Sequence, residues 1–397
     1  MGKLNRVTAC LVLLSLMLVL ALVPYSQGGD GWGPEVLRFQ VVTGPDYARL
    51  AMQTGMIDVY PDLWRTVDVE ALDSDGFLIT QDVGFHMGFI AYNIRADQSY
   101  RRSDSYWPLA DMEFRHALFH CYDQMGIIPP IYGYIVTPIN SLVPPAQSKY
   151  HNSAVPTHPY DPGNPFTSTS GDHDSCGILL DAGYTFVDAD SSGNVTETDY
   201  WKCPNSSNMP YMELWTPLQG VAPVSWQHGH EFVADLAEIG LKATAANGNR
   251  GWLNIGRDFN DYLSDVYDRT DFDAYMVFYG MGRIPDQLYS FLHSSQDCLV
   301  LPGADGAPDG KDHTIDTLVE TVRFSLDPDA IEVAAKQVQE MLYTSNKSKY
   351  PNADAFALAY MMMYSRIYFN SYATHLEGVI KSPGYGSDNG WTRMNIR

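Results

Sequence analysis

Hydrophobic and polar positions divide the chain at once into a short apolar head and a long alternating body. Lys3 and Arg6 precede an apolar run from Val7 to Val23, which ends at Pro24 and the polar Tyr25-Ser26-Gln27. A basic start, an apolar stretch and a broken polar end are the layout of an export leader; the stretch is also nearly long enough to stay in a bilayer as an anchor. Cys10 stands at the start of this run and not at its end, which argues against its being a lipid-modified cysteine. Beyond it, Val36 to Val42 is β-branched and alternating, as a strand requires, and Pro45 to Gly55 reads as a helix closed by glycine. Ile57 to Tyr60 resumes extended structure, and Gly88 to Asn93 is another strand. From Asp111 to Tyr122 the apolar residues Phe114, Ala117, Leu118 and Cys121 recur at helical spacing behind Asp111, a residue suited to cap the first turn. Pro129 and Pro130 then stop helical structure ahead of a Pro/Gly-rich passage from Gly133 to Pro165.

The second half repeats the alternation. Tyr211 to Trp215 is a strand, Ser225 to Glu238 a helix, and Gly240 turns the chain into a strand from Leu241 to Thr244. A helical stretch from Phe259 to Tyr267 precedes the strand Phe272 to Tyr279, and helices follow at Ile315 to Arg323 and Asp329 to Tyr343. Tyr360 to Tyr372, with Met361-Met-Met363 inside it, is apolar and aromatic throughout and reads as helical or strand core, or else as an exposed contact surface. Strands and helices in this order predict an α/β protein, and no internal repeat is visible.

Composition adds a compartment. With 47 acidic residues against 25 basic ones the net charge is -22, so nucleic acid is excluded as a partner by repulsion. Hydrophobic residues make up 45% and aromatics 13%, enough for a large core, and the length suggests two lobes. Past the leader four cysteines remain, Cys121, Cys176, Cys203 and Cys298, which allow three pairings in an oxidising compartment. Cys176 with Cys203 is the expected disulfide, because the two bracket an acidic excursion with little apolar content of its own. Sequons at Asn194, Asn205 and Asn346 mark acceptor sites for glycans in a host that glycosylates.

That excursion also carries a metal-like pattern. Asp188, Asp190, Ser192, Asn194 and Asp199 place oxygen atoms at loop positions with Gly193 between them and Val195 behind, as an EF-hand loop does for Ca²⁺. The pattern departs from that loop in ending on Asp instead of the longer Glu, and a flexible acidic loop is the simpler alternative. His116 and His120 lie one helical turn apart, and His228-Gly-His230 forms a second pair. Transition-metal ligation is conceivable for either, though satisfied, partly buried rings explain both. Motifs for enzymatic chemistry fail: there is no G-x-S-x-G, no H-E-x-x-H and no P-loop, and Gly280-Met-Gly282 runs into Pro285. The chain is therefore expected not to be an enzyme.

A resemblance emerges from short segments taken together. Gly55-Met-Ile-Asp-Val, Ala91-Tyr-Asn93, Pro108-Leu-Ala-Asp-Met-Glu-Phe-Arg-His-Ala-Leu and Asp123 come first. They are followed by Thr137-Pro-Ile-Asn-Ser-Leu-Val-Pro-Pro145, His158-Pro-Tyr-Asp-Pro162, Leu180-Asp-Ala-Gly-Tyr184, Asp271-Phe-Asp-Ala-Tyr275 and Gly282-Arg-Ile-Pro-Asp286 with Phe291-Leu-His-Ser294. In this order they resemble the signatures of family 5 extracellular solute-binding proteins of ABC transporters. The resemblance implies a two-lobed, periplasmic-binding-protein-like (class II) α/β clamp that closes like a hinge on a peptide or other small solute and presents it to an ABC permease in the membrane. It also implies a division into a leader or anchor (1–28), a lobe I remnant (29–105), lobe II (106–365) and a return segment (366–397). Family members carry a longer stretch ahead of the strand at Val36 to Val42, so lobe I is expected to be incomplete. A truncated or repurposed paralogue, acting as a structural or interaction protein of the cell envelope, is the alternative this raises.

Small ligands of open α/β sheets sit at strand ends, which directs attention to the strand ending at Tyr279. Arg283, Asp286 and Tyr289 follow it, Arg283 suited to a carboxylate and Asp286 to an amino group, the two ends of a peptide. Trp215, after the preceding strand, could stack on a ligand, although core packing is commoner for tryptophan.

Overall fold

The computed structural model describes residues 44–61, 63, 65–94, 106–269, 272–293, 295, 313–344, 357–377 and 395–396. The leader, the strand expected at Val36 to Val42, Cys298 and the sequon at Asn346 lie outside these residues. In chain order the elements are α1 (Pro45–Gln53), β1 (Val59–Tyr60), α2 (Thr66–Ser74), β2 (Leu78–Val83), β3 (His86–Tyr92), α3 (Met112–His120), α4 (Gln124–Tyr132) and β4 (Val136–Pro138). Next come α5 (Ser175–Asp181), β5 (Thr185–Val187), β6 (Tyr200–Lys202), β7 (Tyr211–Pro217), α6 (Pro223–Glu238), β8 (Gly251–Arg257), α7 (Phe259–Leu263) and β9 (Ala274–Gly280). The last are α8 (Gln287–Leu292), α9 (His313–Phe324), α10 (Pro328–Tyr343), β10 (Tyr360–Tyr372), β11 (Leu376–Glu377) and β12 (Asn395–Ile396).

One mixed sheet organises these elements, in the order β1-β10-β3-β9-β7-β8, with β2 and β4 also paired to β10. β7 runs parallel to both β8 and β9, whereas β3 is antiparallel to β9 and to β10. β3 and β10 are buried on both alternating faces, so they read as continuous apolar runs. That explains Tyr360 to Tyr372: all but one of the 13 residues of β10 are buried, a pattern in which periodicity cannot separate strand from helix.

β10 is also where two cores meet. Its first part, Tyr360 to Met362, pairs with Ala91 to Phe89; after a register shift Tyr364 to Arg366 pairs with β4, and Ile367 to Tyr372 pairs with β2. The large core gathers Phe89, Tyr92, Leu118, Trp215, Trp252, Tyr275, Val338 and Met361, all at most 1% exposed. The small core holds Met52, Leu63, Val69 and Leu72 with Ile367 and Phe369 from the far end of the same strand. Buried Asp68 anchors this small unit, accepting from Arg49 Nη1 at 2.9 Å and Arg65 Nε at 2.6 Å. In the large unit Arg115, fully buried on α3, donates to the Ala357 and Leu109 carbonyls at 2.9 and 2.6 Å and fixes the entry to β10.

Several local expectations change. Asp111 does cap α3, accepting from the Glu113 N–H at 3.0 Å. α4 runs through Pro129 and Pro130 and ends at Gly133, φ 63°; its buried Ile127 and Ile128 hold it to the core despite the two missing N–H donors. Leu241 to Thr244 forms only a bridge between Lys242 and Trp252, and the helix expected from Phe259 to Tyr267 is α7 followed by a π-turn from Ser264 to Arg269.

The expected Cys176–Cys203 disulfide is not formed: Cys121, Cys176 and Cys203 are thiols. Cys176 lies inside α5, where burial and neighbouring Cys121 push its pKa up, and Cys203 closes β6 with its Sγ 3.8 Å from the Asn208 carbonyl. Order in the excursion comes from elsewhere. β5 pairs with β6, and Asp199 accepts from the Ala189 and Thr196 amides at 2.9 and 2.7 Å, so no cross-link is needed to hold the loop.

Candidate ligand-binding site

The parallel strands β7, β8 and β9 end at one rim. The chain leaves β7 at Pro217 opposite Arg257, enters α6, leaves β8 into α7, and leaves β9 at Gly280 into Met281 and the turn to α8. Carboxyl ends of parallel strands are where open α/β sheets take ligands, because the loops diverge there and leave a crevice. β3 starts at the same place, His86 pairing with Gly280, and β10 passes beside it.

Aromatic rings line this junction. His86 stacks on Phe278 with centroids 5.2 Å apart and planes 7° off parallel, and its Nδ1 lies 2.8 Å from the Tyr368 hydroxyl. Burial, and secondarily the charge of Arg366, pushes the His86 pKa down to about 4, so the ring is neutral at pH 7. Tyr364 also stacks on Phe278, at 5.5 Å, and tilts against Tyr132 at 4.4 Å. Gly84 permits the close crossing of β10: a Cβ there would sit 2.9 Å from the Arg366 carbonyl oxygen and 2.7 Å from the Tyr368 ring.

Each expected ligand residue can now be placed. Trp215 is buried, its indole N–H donating to Glu213 Oε2 at 2.7 Å and its ring face covered by the Arg257 guanidinium at 4.2 Å. Arg257 Nη2 also donates to Glu213 at 3.1 Å, while its Nε is buried with no hydrogen-bond partner. Tyr279 packs edge-on against Phe291 at 5.1 Å. Arg283 and Asp286 are exposed on the turn after β9. Tyr289 faces α9, stacked on His293 at 4.3 Å with Arg323 over its ring at 4.5 Å. The rim thus brings together the end of β9 and its turn, with Trp215 and Arg257 on neighbouring strands. Glu213, Arg257, His86 and Tyr368 were not picked out from sequence, since their strands lie far apart along the chain.

Two further clusters lie elsewhere. In the hairpin loop between β5 and β6, carboxylate oxygens of Asp188, Asp190 and Asp199 come within 4.8 Å of one another, and Gly193 takes φ 71°. Asp188 and Asp190 accept from the Ser192 amide at 3.1 and 2.9 Å, and the exposed Asn194 donates from Nδ2 to the Ser192 carbonyl at 3.3 Å. Strands flank the loop, so it is not the helix-loop-helix of an EF-hand. Asn205 is likewise exposed. His228 is buried between the Tyr122 and Tyr132 hydroxyls at 2.8 and 3.1 Å, and His230 stacks on Trp226, so these two form no common site. His116 and His120 are joined by a third ring, His158, which the sequence pattern did not connect to them.

The sequence model described as bacterial extracellular solute-binding proteins, family 5 (middle section), matches residues 33–298. No curated protein matches the chain. Among solved structures it is similar to an ABC transporter substrate-binding protein of Listeria monocytogenes, with a TM-score of 0.60 at 14% identity over 90% of this chain and 59% of that one. NikA of Brucella suis, solved with Fe(III)-EDTA, gives a TM-score of 0.60 at 15% identity, covering 90% of this chain and 61% of its own. The oligopeptide-binding protein AppA of Bacillus subtilis, solved with a nonapeptide, gives 0.54 at 16% identity over 89% of this chain and 58% of its own. The chain therefore spans less than two thirds of the length of these structures, and the likeness is one of fold.

Proposed function

Because the chain belongs to the family 5 bacterial extracellular solute-binding proteins, we propose that it binds an oligopeptide or similar small solute at the rim of β7, β8 and β9, outside the cytoplasm, and hands it to an ABC permease. The observation that carries this reading is the sharing of β10 between two hydrophobic cores beside that rim. Two packed units joined through few chain crossings are the arrangement in which a hinge-closing clamp moves. Arg283 supplies a fork for a carboxylate and Asp286 an acceptor for an amino group, and neutral His86 with Tyr368 adds hydrogen bonding without a second charge. Binding and release, not catalysis, is the role these groups suit. Among the described residues no helix is long and apolar enough to cross a membrane.

Calorimetric titration with a mixed peptide library tests the proposal. Saturable binding is expected, weakened about tenfold, or about 1.4 kcal/mol, by Arg283→Ala. No saturable binding of any peptide, or an unchanged affinity in the variant, would remove the peptide reading.

The loop from Asp188 to Asp199 is proposed as a Ca²⁺ site, supported by its three converging carboxylates and the oxygens of Ser192 and Asn194. Calcium bound only by the folded chain must raise its melting midpoint. A higher midpoint at millimolar calcium than in chelator, abolished by Asp190→Ala, is the expected result; identical melts would discard the site.

A further inference from the structure

From the convergence of His116, His120 and His158 we infer a binding site for one zinc-class divalent transition-metal ion, half-buried between α3, the loop at residues 157–159 and the end of α10. One donor nitrogen from each ring lies within 4.8 Å of the other two. His116 Nε2 and His120 Nε2 are 3.3 Å apart, which matches the edge of about 3.3 Å that two nitrogens make around a tetrahedral ion at about 2.0–2.1 Å. The rings splay around a common point, with centroid separations of 5.0, 5.3 and 5.5 Å and interplanar angles of 65°, 82° and 88°.

Hydrogen bonding fixes which nitrogen of His120 carries its lone pair. A carbonyl oxygen only accepts, so His120 Nδ1, 2.9 Å from the Pro159 carbonyl, holds the ring proton and leaves Nε2 bare. His116 Nδ1 faces the Glu113 carboxylate at 3.6 Å, which draws its proton to that side as well. His158 is engaged by the Tyr343 backbone, and because its buried Nε2 has no partner, that contact falls to Nδ1. His120 Nε2 thus carries a lone pair, met by His116 Nε2 at 3.3 Å, and buried His158 Nε2 has no partner; a cation at their meeting point would engage all three nitrogens at once. Carbonyl and carboxylate partners on the remote nitrogens are also what orients histidine ligands in metal sites. Asp161 and Asp174, whose charges reach His120, together with Glu113, offset the charge an ion would bring. His116 and His158 are only half-buried, which leaves solvent access for a small fourth ligand such as water.

The site lies apart from the rim and does not rest on the solute-binding reading. Its effect would be to pin the loop at His158 to α3 and to α10, two elements otherwise far apart along the chain. The test uses the tag-free full chain, stripped with chelator and dialysed against micromolar Zn²⁺. One zinc per chain is expected to remain, and Co²⁺ in its place is expected to give the intense visible bands of a four-coordinate site. His120→Gln and His158→Gln should each lose the bound equivalent, while Asp190→Ala keeps it. Should a variant fail to fold, X-ray absorption at the zinc edge of the wild-type chain decides, through three imidazole ligands. A wild-type chain that holds no zinc, an octahedral cobalt spectrum, or retention of zinc in both histidine variants would overturn the assignment.

Discussion

Asp235 shows how a single residue can set the pH response. On α6 its carboxyl is pushed up to about 7, first by burial and then by Asp123, Glu238 and Glu231, while the Asp123 N–H at 3.1 Å pulls the other way. An unfolded aspartate releases its proton near 3.8. Between those values the folded chain holds a proton that the unfolded chain has lost, so the contribution is present below the lower value and fades as pH rises through the upper one. Asp235→Asn keeps an acceptor for the Asp123 amide and removes the titration. Its melting midpoint relative to wild type is expected to climb from pH 5 to pH 8; a constant offset would show that the carboxyl does not titrate there. At this scale the sequence was informative where one residue acts on its own helix, as Asp111 does on α3. It could not decide for Trp215 between stacking on a ligand and packing, because Glu213 and Arg257 claim that ring from two strands whose register only the folded sheet defines.

Elements with a clear period were legible, and so was the short buried strand β3; the long buried β10 and the proline-bearing α4 were not. α6 and α10 begin within two residues of the positions expected from their periodicity, and β7 begins at the expected Tyr211. β10 gave an apolar stretch without a period, and α4 carried prolines that normally end a helix. Among the small elements, α1 and α2 are joined by charge as well as by apolar contact. Asp68, fully buried, joins Arg49 on α1 to Arg65 at the start of α2, and Arg65 also reaches Asp46 at 2.7 Å. Asp68→Ala is expected to cost about 2 kcal/mol, less than for a fully buried pair because both guanidiniums reach solvent. Hydrogen exchange would report it as faster opening of residues 45–83 with the large core unchanged. Uniform acceleration across both cores would show that the two units do not open separately.

In the whole molecule, charge and topology act on different things. A net charge of -22 keeps polyanions away and says nothing about the sheet; the two cores are set by pairings such as Ser365 Oγ to the Gly84 carbonyl, between residues 281 apart in the chain. The clamp was visible in sequence only through resemblance, because nothing local to a segment reveals that one strand serves two cores. That strand begins at residue 360 and follows the other segments of both cores in the chain, so the piece common to both is synthesised after them. Non-local pairings of this kind fold slowly, since the intervening chain must be closed before any contact rewards it. A ribosome-stalled chain ending before Tyr360 is expected to be digested by protease along its whole length, and one extended past Tyr372 to become resistant in both units together. Early protection of the large unit would show that it closes without β10. Until that shared strand appears the polypeptide stays open, which is the state in which a chain can still be threaded through a narrow channel.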